Sequence, residues 1–204
     1  MTRVIGTEAE LREFVAPPPQ FIAEKGIDRI DPQSRRFIEL SPFFLLATSA
    51  EDGTCDVSPR GDPAGSVLVL DDRTLAFADR KGNGRLDSLR NILQRPRVGM
   101  VFMVPGSGDT VRVNGLARIV TDAPYLDSMA MRGVTPGLAV EVVVEELFLH
   151  CARAFTRSRL WDASTWPAKS EVPSVGTIAK SISGADIEAQ VIDDALAVAA
   201  QDAY

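Results

Sequence analysis

Histidine and cysteine are scarce in this chain, and their scarcity excludes several kinds of catalytic site. The single histidine, His150, excludes an HExxH zinc motif and would have to serve alone in any serine or cysteine triad. Only Cys55 and Cys151 are present, and they form no CxxC pair, which fits a reducing compartment. Because these residues have no recognisable zinc-ligand spacing, the sequence predicts no metal site.

Long apolar runs and an excess of positive charge are missing as well. No segment approaches the roughly 20 apolar residues of a membrane span, and the first residues lack a signal-peptide stretch. The formal net charge is −6 and the sequence pI is about 4.9, whereas nucleic-acid binding needs a basic face. We therefore expect a soluble, cytoplasmic protein that binds neither nucleic acid nor membrane.

Strand patterns fill the middle of the chain. Short apolar or alternating segments are separated by turns such as Glu51-Asp52-Gly53, and one amphipathic helix follows residue 84. The predicted strands cover residues 43–49, 57–60, 66–70, 74–78, 98–104, 110–120 and 139–145. Because most of them form hairpins and no βαβ alternation is present, the pattern predicts a mainly β fold, an antiparallel barrel with peripheral helices.

The segments outside this barrel are predicted to be helical. We divide the chain into an N-terminal helical extension (1–40), a barrel domain (41–165) and a C-terminal helical tail (166–204). Thr7 and Glu10 form a capping-box pattern, and a second helix is expected at 32–40. Residues 150–156 are also predicted to be helical, and the tail is expected to end in a helix that Ser183 and Asp186 open.

A basic, glycine-rich loop at residues 79–88 precedes the amphipathic helix. Unpaired N–H groups and the helix dipole at such a terminus favour an anion, and glycines permit close backbone approach. Arg85 could bind phosphate oxygens in bidentate fashion, with Lys81 as a point charge. Arg60, at the end of an earlier strand, is a second basic position. The alternative is that these residues form solvated turns, with Arg60 beside Asp62.

These segments together resemble a known family. The strand at 74–79, the basic loop, the helix and the turn at Arg95-Pro96 into the next strand resemble the pyridoxamine 5′-phosphate oxidase family. Residues 111–117 resemble that family's following strand, and residues 157–161 are a looser match. The resemblance covers about residues 43–120 and implies a Greek-key-like split β-barrel that forms a homodimer, with FMN in two clefts between the subunits.

The resemblance also implies roles for individual residues. Arg60 and Gly61 would lie along the flavin or its ribityl chain, and residues 77–79 would supply backbone and side-chain contacts. Arg159 and Trp161 would come from the partner subunit. The complete set of implied FMN-binding residues is Arg60, Gly61, Phe77, Ala78, Asp79, Lys81, Asn83, Arg85, Thr110, Arg159 and Trp161.

Two departures separate the chain from the vitamin B6 oxidase itself. Asn83-Gly84-Arg85 replaces the family's Ser-Arg-Lys phosphate triplet, and Trp161 stands near the place of a C-terminal histidine. We therefore expect an FMN-dependent oxidoreductase of unknown substrate, in which no side chain stands out as a general acid or base. The alternatives are a non-catalytic flavin-binding or sensor protein, a barrel that binds deazaflavin or haem, and a structural barrel without ligand.

Overall fold

Seven antiparallel strands form one sheet in the order β2-β1-β5-β6-β7-β4-β3. The computed structural model describes residues 2–184 and 186–201. The strands are β1 (Phe43–Ser49), β2 (Cys55–Gly61), β3 (Leu68–Val69), β4 (Thr74–Ala78), β5 (Arg97–Met103), β6 (Thr110–Val120) and β7 (Ala139–His150). The helices are α1 (Glu8–Arg12), α2 (Gln20–Ala23), α3 (Pro32–Leu40), α4 (Asp87–Gln94), α5 (Arg153–Ser158), α6 (Val175–Ser183) and α7 (Ala189–Gln201).

The sheet curls into a barrel, as contacts between distant strands show. In a flat sheet, five strand spacings of about 4.8 Å would separate β2 from β4 by roughly 24 Å. Instead, Arg60 in β2 lies 3.2 Å from Asp79, which follows β4, and the rings of Phe44 and Phe77 are 5.0 Å apart. Because β2 and β3 are the edges of the sheet, a seam remains between them. The predicted fold class, a mainly β split barrel with peripheral helices, is confirmed.

A β-bulge contributes to this curvature in the two longest strands. The register between β6 and β7 shifts at Asn114 and Gly115. A Cβ at Gly115 would lie 2.1 Å from the Val143 carbonyl oxygen, so only glycine fits there. Bulges of this kind bend the strand that carries them and increase its twist.

The core lies inside the barrel and under two helices. Alternate residues of the central strands point inward, and Leu46, Phe102 and Val142 are completely buried. Asp31 caps α3 by accepting hydrogen bonds from the backbone of Gln33 and Ser34, and this helix buries Ile38. The two helices α3 and α4 therefore belong to the core of the barrel.

Two predicted helix boundaries are wrong. β7 continues to His150, which pairs with Thr110, so the helix expected from residue 150 begins only at Arg153. In the tail, Ser183 ends α6 because Gly184 adopts the left-handed conformation, and α7 starts at Ala189. None of the helices in the described ranges is long and apolar enough to cross a membrane. The division at residues 40 and 165 stays a prediction.

The buried carboxylate of Glu141 connects the segment around Tyr125 to the barrel wall. Glu141 in β7 is 7% exposed; its carboxylate accepts hydrogen bonds from the Tyr125 hydroxyl at 2.6 Å and from Arg118 Nε at 2.7 Å. Burial raises the pKa of Glu141, but these hydrogen bonds and the charge of Arg118 lower it more, so the net shift is downward. Tyr125 adjoins the 3-10 helix Leu126–Met129, whose Leu126 and Met129 cover a second apolar cluster on β4 and β7.

This carboxylate predicts a pH dependence of stability. Because the folded-state pKa of Glu141 is lowered, its contribution is present above about pH 4.3 and is lost as pH falls through the folded pKa. We expect Glu141→Gln to reduce the free energy of unfolding by about 2 kcal/mol at neutral pH and by less in acid. Urea denaturation at several pH values measures this. Glu145→Gln, an exposed change on the same strand, is the control, and an equal loss at all pH values would contradict the prediction.

Candidate functional site

A cleft of about 850 Å³ opens at the seam of the barrel. Its walls come from the end of β2, the end of β4 with its following loop, the start of α4, and residues 137–138. Phe44, Val67 and Phe77 give it an apolar floor, and these three side chains are part of the buried core. Its volume lies within the range of roughly 300–1,000 Å³ that small-molecule and cofactor sites occupy.

Two partly buried ion pairs cross the cleft between strand ends. Arg60 Nη1 lies 3.2 Å from Asp79 Oδ1, and Arg80 Nε lies 2.8 Å from Asp62 Oδ2. The four side chains are between 14% and 22% exposed, and Arg80 also donates to the Met129 carbonyl oxygen at 2.9 Å. Arg60 therefore does not pair with its sequence neighbour Asp62. Each pair instead joins the β2 end to the β4 end.

Two polar atoms of these same residues are buried without a hydrogen-bond partner among the described residues. They are Arg60 Nε, a donor, and Asp62 Oδ1, an acceptor. A buried polar atom left unpaired costs about 1–3 kcal/mol, so each such atom requires an explanation. Both residues line the cleft, so a ligand that offers one acceptor and one donor would satisfy both atoms once the two side chains turn toward it.

Arg85, in the loop before α4, is more exposed than Arg60 and Arg80. The Asn83 side chain accepts a hydrogen bond from the Arg85 backbone at 3.0 Å, and Arg85 Nε lies 2.7 Å from Asp87. The Arg85 side chain is 73% exposed. An exposed ion pair of this kind is worth only about 0.2–1 kcal/mol, so Arg85 can turn to another anion at little cost.

The structure brings most of the predicted residues together. Arg60, Gly61, Phe77, Ala78, Asp79, Lys81, Asn83 and Arg85 all line the cleft.

Three predicted residues lie elsewhere in the same chain. Thr110 is buried at the start of β6, between Met103 and His150. Arg159 pairs with Asp162, while Trp161 stacks on Phe155 and donates from Nε1 to the Ser107 carbonyl oxygen at 2.7 Å. The roles that the resemblance implies for Thr110, Arg159 and Trp161 therefore stay predictions, and a single copy of the chain does not bring these residues to the cleft.

Sequence reasoning missed several polar residues of the cleft, among them Asp56, Asp62, Arg80 and Ser88. Asp62 and Arg80 form one ion pair, and Asp56 accepts a hydrogen bond from the Ser88 hydroxyl at 3.0 Å. The signal was an alternation of acids and bases, since each basic segment of the cleft has an aspartate within two residues. Sequence spacing alone does not show which strand ends meet, so it does not show which arginine pairs with which of these aspartates.

Haem ligation finds no support in the composition of this cleft. Its lining in the described part of the chain contains no histidine, cysteine, methionine or tyrosine, the side chains that commonly ligate haem iron. His150 ends β7 in an exposed position outside the cleft.

The part of the chain that forms the cleft also matches a known protein family. A family model described as pyridoxamine 5′-phosphate oxidase matches residues 30–151, more than half of the chain. The chain belongs to this family. The matched region runs from just before α3 to just after β7 and includes every wall of the cleft.

Solved structures of family-like proteins are similar to the chain at low identity. A candidate pyridoxamine 5′-phosphate oxidase of Lactobacillus delbrueckii is 24% identical, with a TM-score of 0.47, over 60% of this chain and 95% of that one. An FMN-binding protein of Syntrophomonas wolfei is 12% identical (TM-score 0.42), over 57% and 88%. The haem storage protein HutZ of Vibrio cholerae is 15% identical (TM-score 0.43), over 60% and 94%. Among curated proteins, none matches the chain.

The difference between the two kinds of ion pair can be measured in the protein without ligand. A double-mutant cycle of Arg60→Ala and Asp79→Ala is expected to give a coupling of about 1–2 kcal/mol, because water screens this pair poorly. The matched cycle of Arg85→Ala and Asp87→Ala should give less than about 0.5 kcal/mol. Denaturant unfolding measures both couplings, and equal values would refute the distinction.

Proposed function

We propose that the cleft binds FMN and that the protein is an FMN-dependent oxidoreductase. The observation that carries this proposal is that eight residues implied by the family resemblance converge on one cleft, whose lining residues also include two unsatisfied polar atoms. Family membership supports a cofactor in this cleft. The side chains of Arg60 and Asp62 are largely buried, which supports a ligand that reaches the inner wall of the cleft.

The cleft residues fit the parts of FMN. The phosphate would be held by Lys81, Asn83 and Arg85 at the start of α4, where helix geometry favours an anion. A flavin ring has carbonyl acceptors beside an N–H donor on its polar edge, which is the complement of Arg60 Nε and Asp62 Oδ1. The apolar floor of the cleft suits the remainder of the ring system.

Bound FMN would supply hydride and electron transfer, and the chain's own residues would bind and orient it. Arg60 and Arg80 place positive charge on the inner wall, held in position by Asp79 and Asp62. Because each of these arginines is paired with an aspartate, Arg60 would act on a neighbouring ring as a hydrogen-bond donor through Nε rather than as a free charge. No residue is assigned as a general acid or base.

A second copy of the chain is part of this proposal. The outer face of β1, β2 and β5 is mostly apolar, since it carries Phe43, Leu45, Ala47, Val57, Val101 and Met103, whereas the neighbouring strand β6 places Arg112, Asn114 and Arg118 on this side. A sheet with both faces apolar is normally covered on both. We propose that two copies pack through this face as a homodimer and that each cleft receives Arg159 and Trp161 from the other copy.

The cofactor is tested by the absorption spectrum of the purified protein and by FMN titration. We expect flavin absorption bands, and we expect Arg85→Ala to weaken FMN binding about tenfold, because a charged hydrogen bond to phosphate is lost. Arg90→Ala, on the same helix but outside the cleft, is the matched control and should bind FMN normally.

Each alternative to the proposal gives a distinct result in the same experiment. A colourless protein that takes up no FMN would refute it, and titration with a deazaflavin and with haem would then identify the ligand. FMN binding that is indifferent to Arg85→Ala would move the phosphate elsewhere. If the protein is yellow but does not transfer electrons from a nicotinamide reductant to an acceptor, the result would favour a non-catalytic flavin-binding protein.

The homodimer is tested by a charge on the outer face. Leu45→Glu places a carboxylate at the centre of this face, between Pro59 and Val101, where burying it against a second copy would cost several kcal/mol of desolvation. We expect light scattering to show a dimer for the wild type and a monomer for the variant. Val134→Glu, at an exposed position outside the sheet, is the control. A dimeric Leu45→Glu variant would exclude this face as the interface.

A further inference from the structure

Leu86 has an unfavourable conformation at the mouth of the cleft. It has a φ of 59°, in the left-handed region, and it is the one apolar residue among the non-glycine residues with positive φ in the described chain. The residue is 53% exposed although it lines the cleft. A bulky side chain in this backbone region is a steric outlier.

Leu86 is also a poor choice for the start of a helix. Its carbonyl oxygen accepts the first hydrogen bond of α4, from Arg90 N–H at 2.8 Å, so it is the N-cap residue. Serine, threonine, aspartate or asparagine would cap the free N–H groups there, whereas leucine offers no acceptor. Strain, a missing cap and apolar exposure therefore coincide at one residue.

The backbone geometry alone does not explain a leucine at this position. Glycine and asparagine adopt the left-handed region readily, and asparagine would cap the helix as well. Either would turn the chain into α4 with less strain. What leucine adds is its hydrocarbon side chain, which lies beside the exposed Arg85 and faces the same cleft as Phe77.

We infer that Leu86 is a cofactor-contacting residue whose side chain packs against the carbon skeleton of bound FMN. This inference rests on the proposed function, because it names the contact that burial of the cofactor would give to Leu86. Strained residues that persist in a fold concentrate at ligand-binding positions, where bound-state contacts offset their cost. Arg85 would then recognise the phosphate, and Leu86 would recognise the part that FMN shares with riboflavin.

Titration with both FMN and riboflavin tests this division. Leu86→Gly is expected to weaken both ligands about tenfold and to leave their affinity ratio unchanged, since a buried leucine contact is lost. Arg85→Ala is expected to weaken the binding of FMN but not of riboflavin, and so to reduce the ratio of FMN affinity to riboflavin affinity. Leu86→Met, which keeps an apolar side chain, should bind both ligands within about threefold of the wild type.

Thermal unfolding of the ligand-free variants separates a binding contact from a structural role. Leu86→Gly should unfold at the wild-type temperature or above it, because strain is relieved. Asp122→Gly relieves a similar backbone conformation (φ of 55°) outside the cleft and should leave flavin affinity unchanged.

Three results would overturn the inference in different ways. If the wild type binds flavin and Leu86→Gly binds it equally well, Leu86 makes no cofactor contact although the proposed function stands. If the wild type binds neither FMN nor riboflavin, the proposed function fails and the inference fails with it. A Leu86→Gly variant that becomes monomeric with undiminished flavin affinity would assign Leu86 to a contact between copies and would likewise refute a cofactor contact.

Discussion

The pairing of β4 with β7 is the constraint on which the rest of the structure depends. Residues 74–78 lie against residues 139–143, so the short β3–β4 hairpin attaches to the last strand of the sheet. This attachment carries the end of β4 around the barrel to the end of β2. Without it, the sheet would remain open and its two basic segments would stand far apart. The seam, the cleft and both crossing ion pairs follow from this one interaction.

The arginines of the cleft are each paired with an aspartate, and the pairs differ from one another in burial. The inner pairs, Arg60 with Asp79 and Arg80 with Asp62, are shielded from water and join two strand ends. The outer pair, Arg85 with Asp87, is exposed and readily exchanges its partner. In the proposed complex, the cofactor phosphate would meet the adaptable cation at the rim, and the ring would meet the fixed ones inside. An acidic protein would in this way offer a local site for an anion.

Family membership and the proposed chemistry rest on different observations. The match to residues 30–151 establishes the family, and the curled sheet establishes the barrel. The cofactor is argued from the cleft, above all from Arg60 Nε and Asp62 Oδ1, which have no partner within the described chain. In the proposed homodimer, a second copy would cover the apolar outer face of β1, β2 and β5 and would bring Arg159 and Trp161 to a cleft.

The sequence by itself determined the local elements: the hairpins, the amphipathic helix α4 and the basic loop before it, because alternation, turn residues and helix periodicity act over a few residues. It also indicated eight of the residues that line the cleft, through their resemblance to the family. Only the tertiary structure decided which charges pair, since Arg60 and Asp79 meet through strand pairings far apart in the chain. The extension of β7 to His150 and the left-handed backbone of Leu86 were likewise set by pairing and packing that local patterns do not contain.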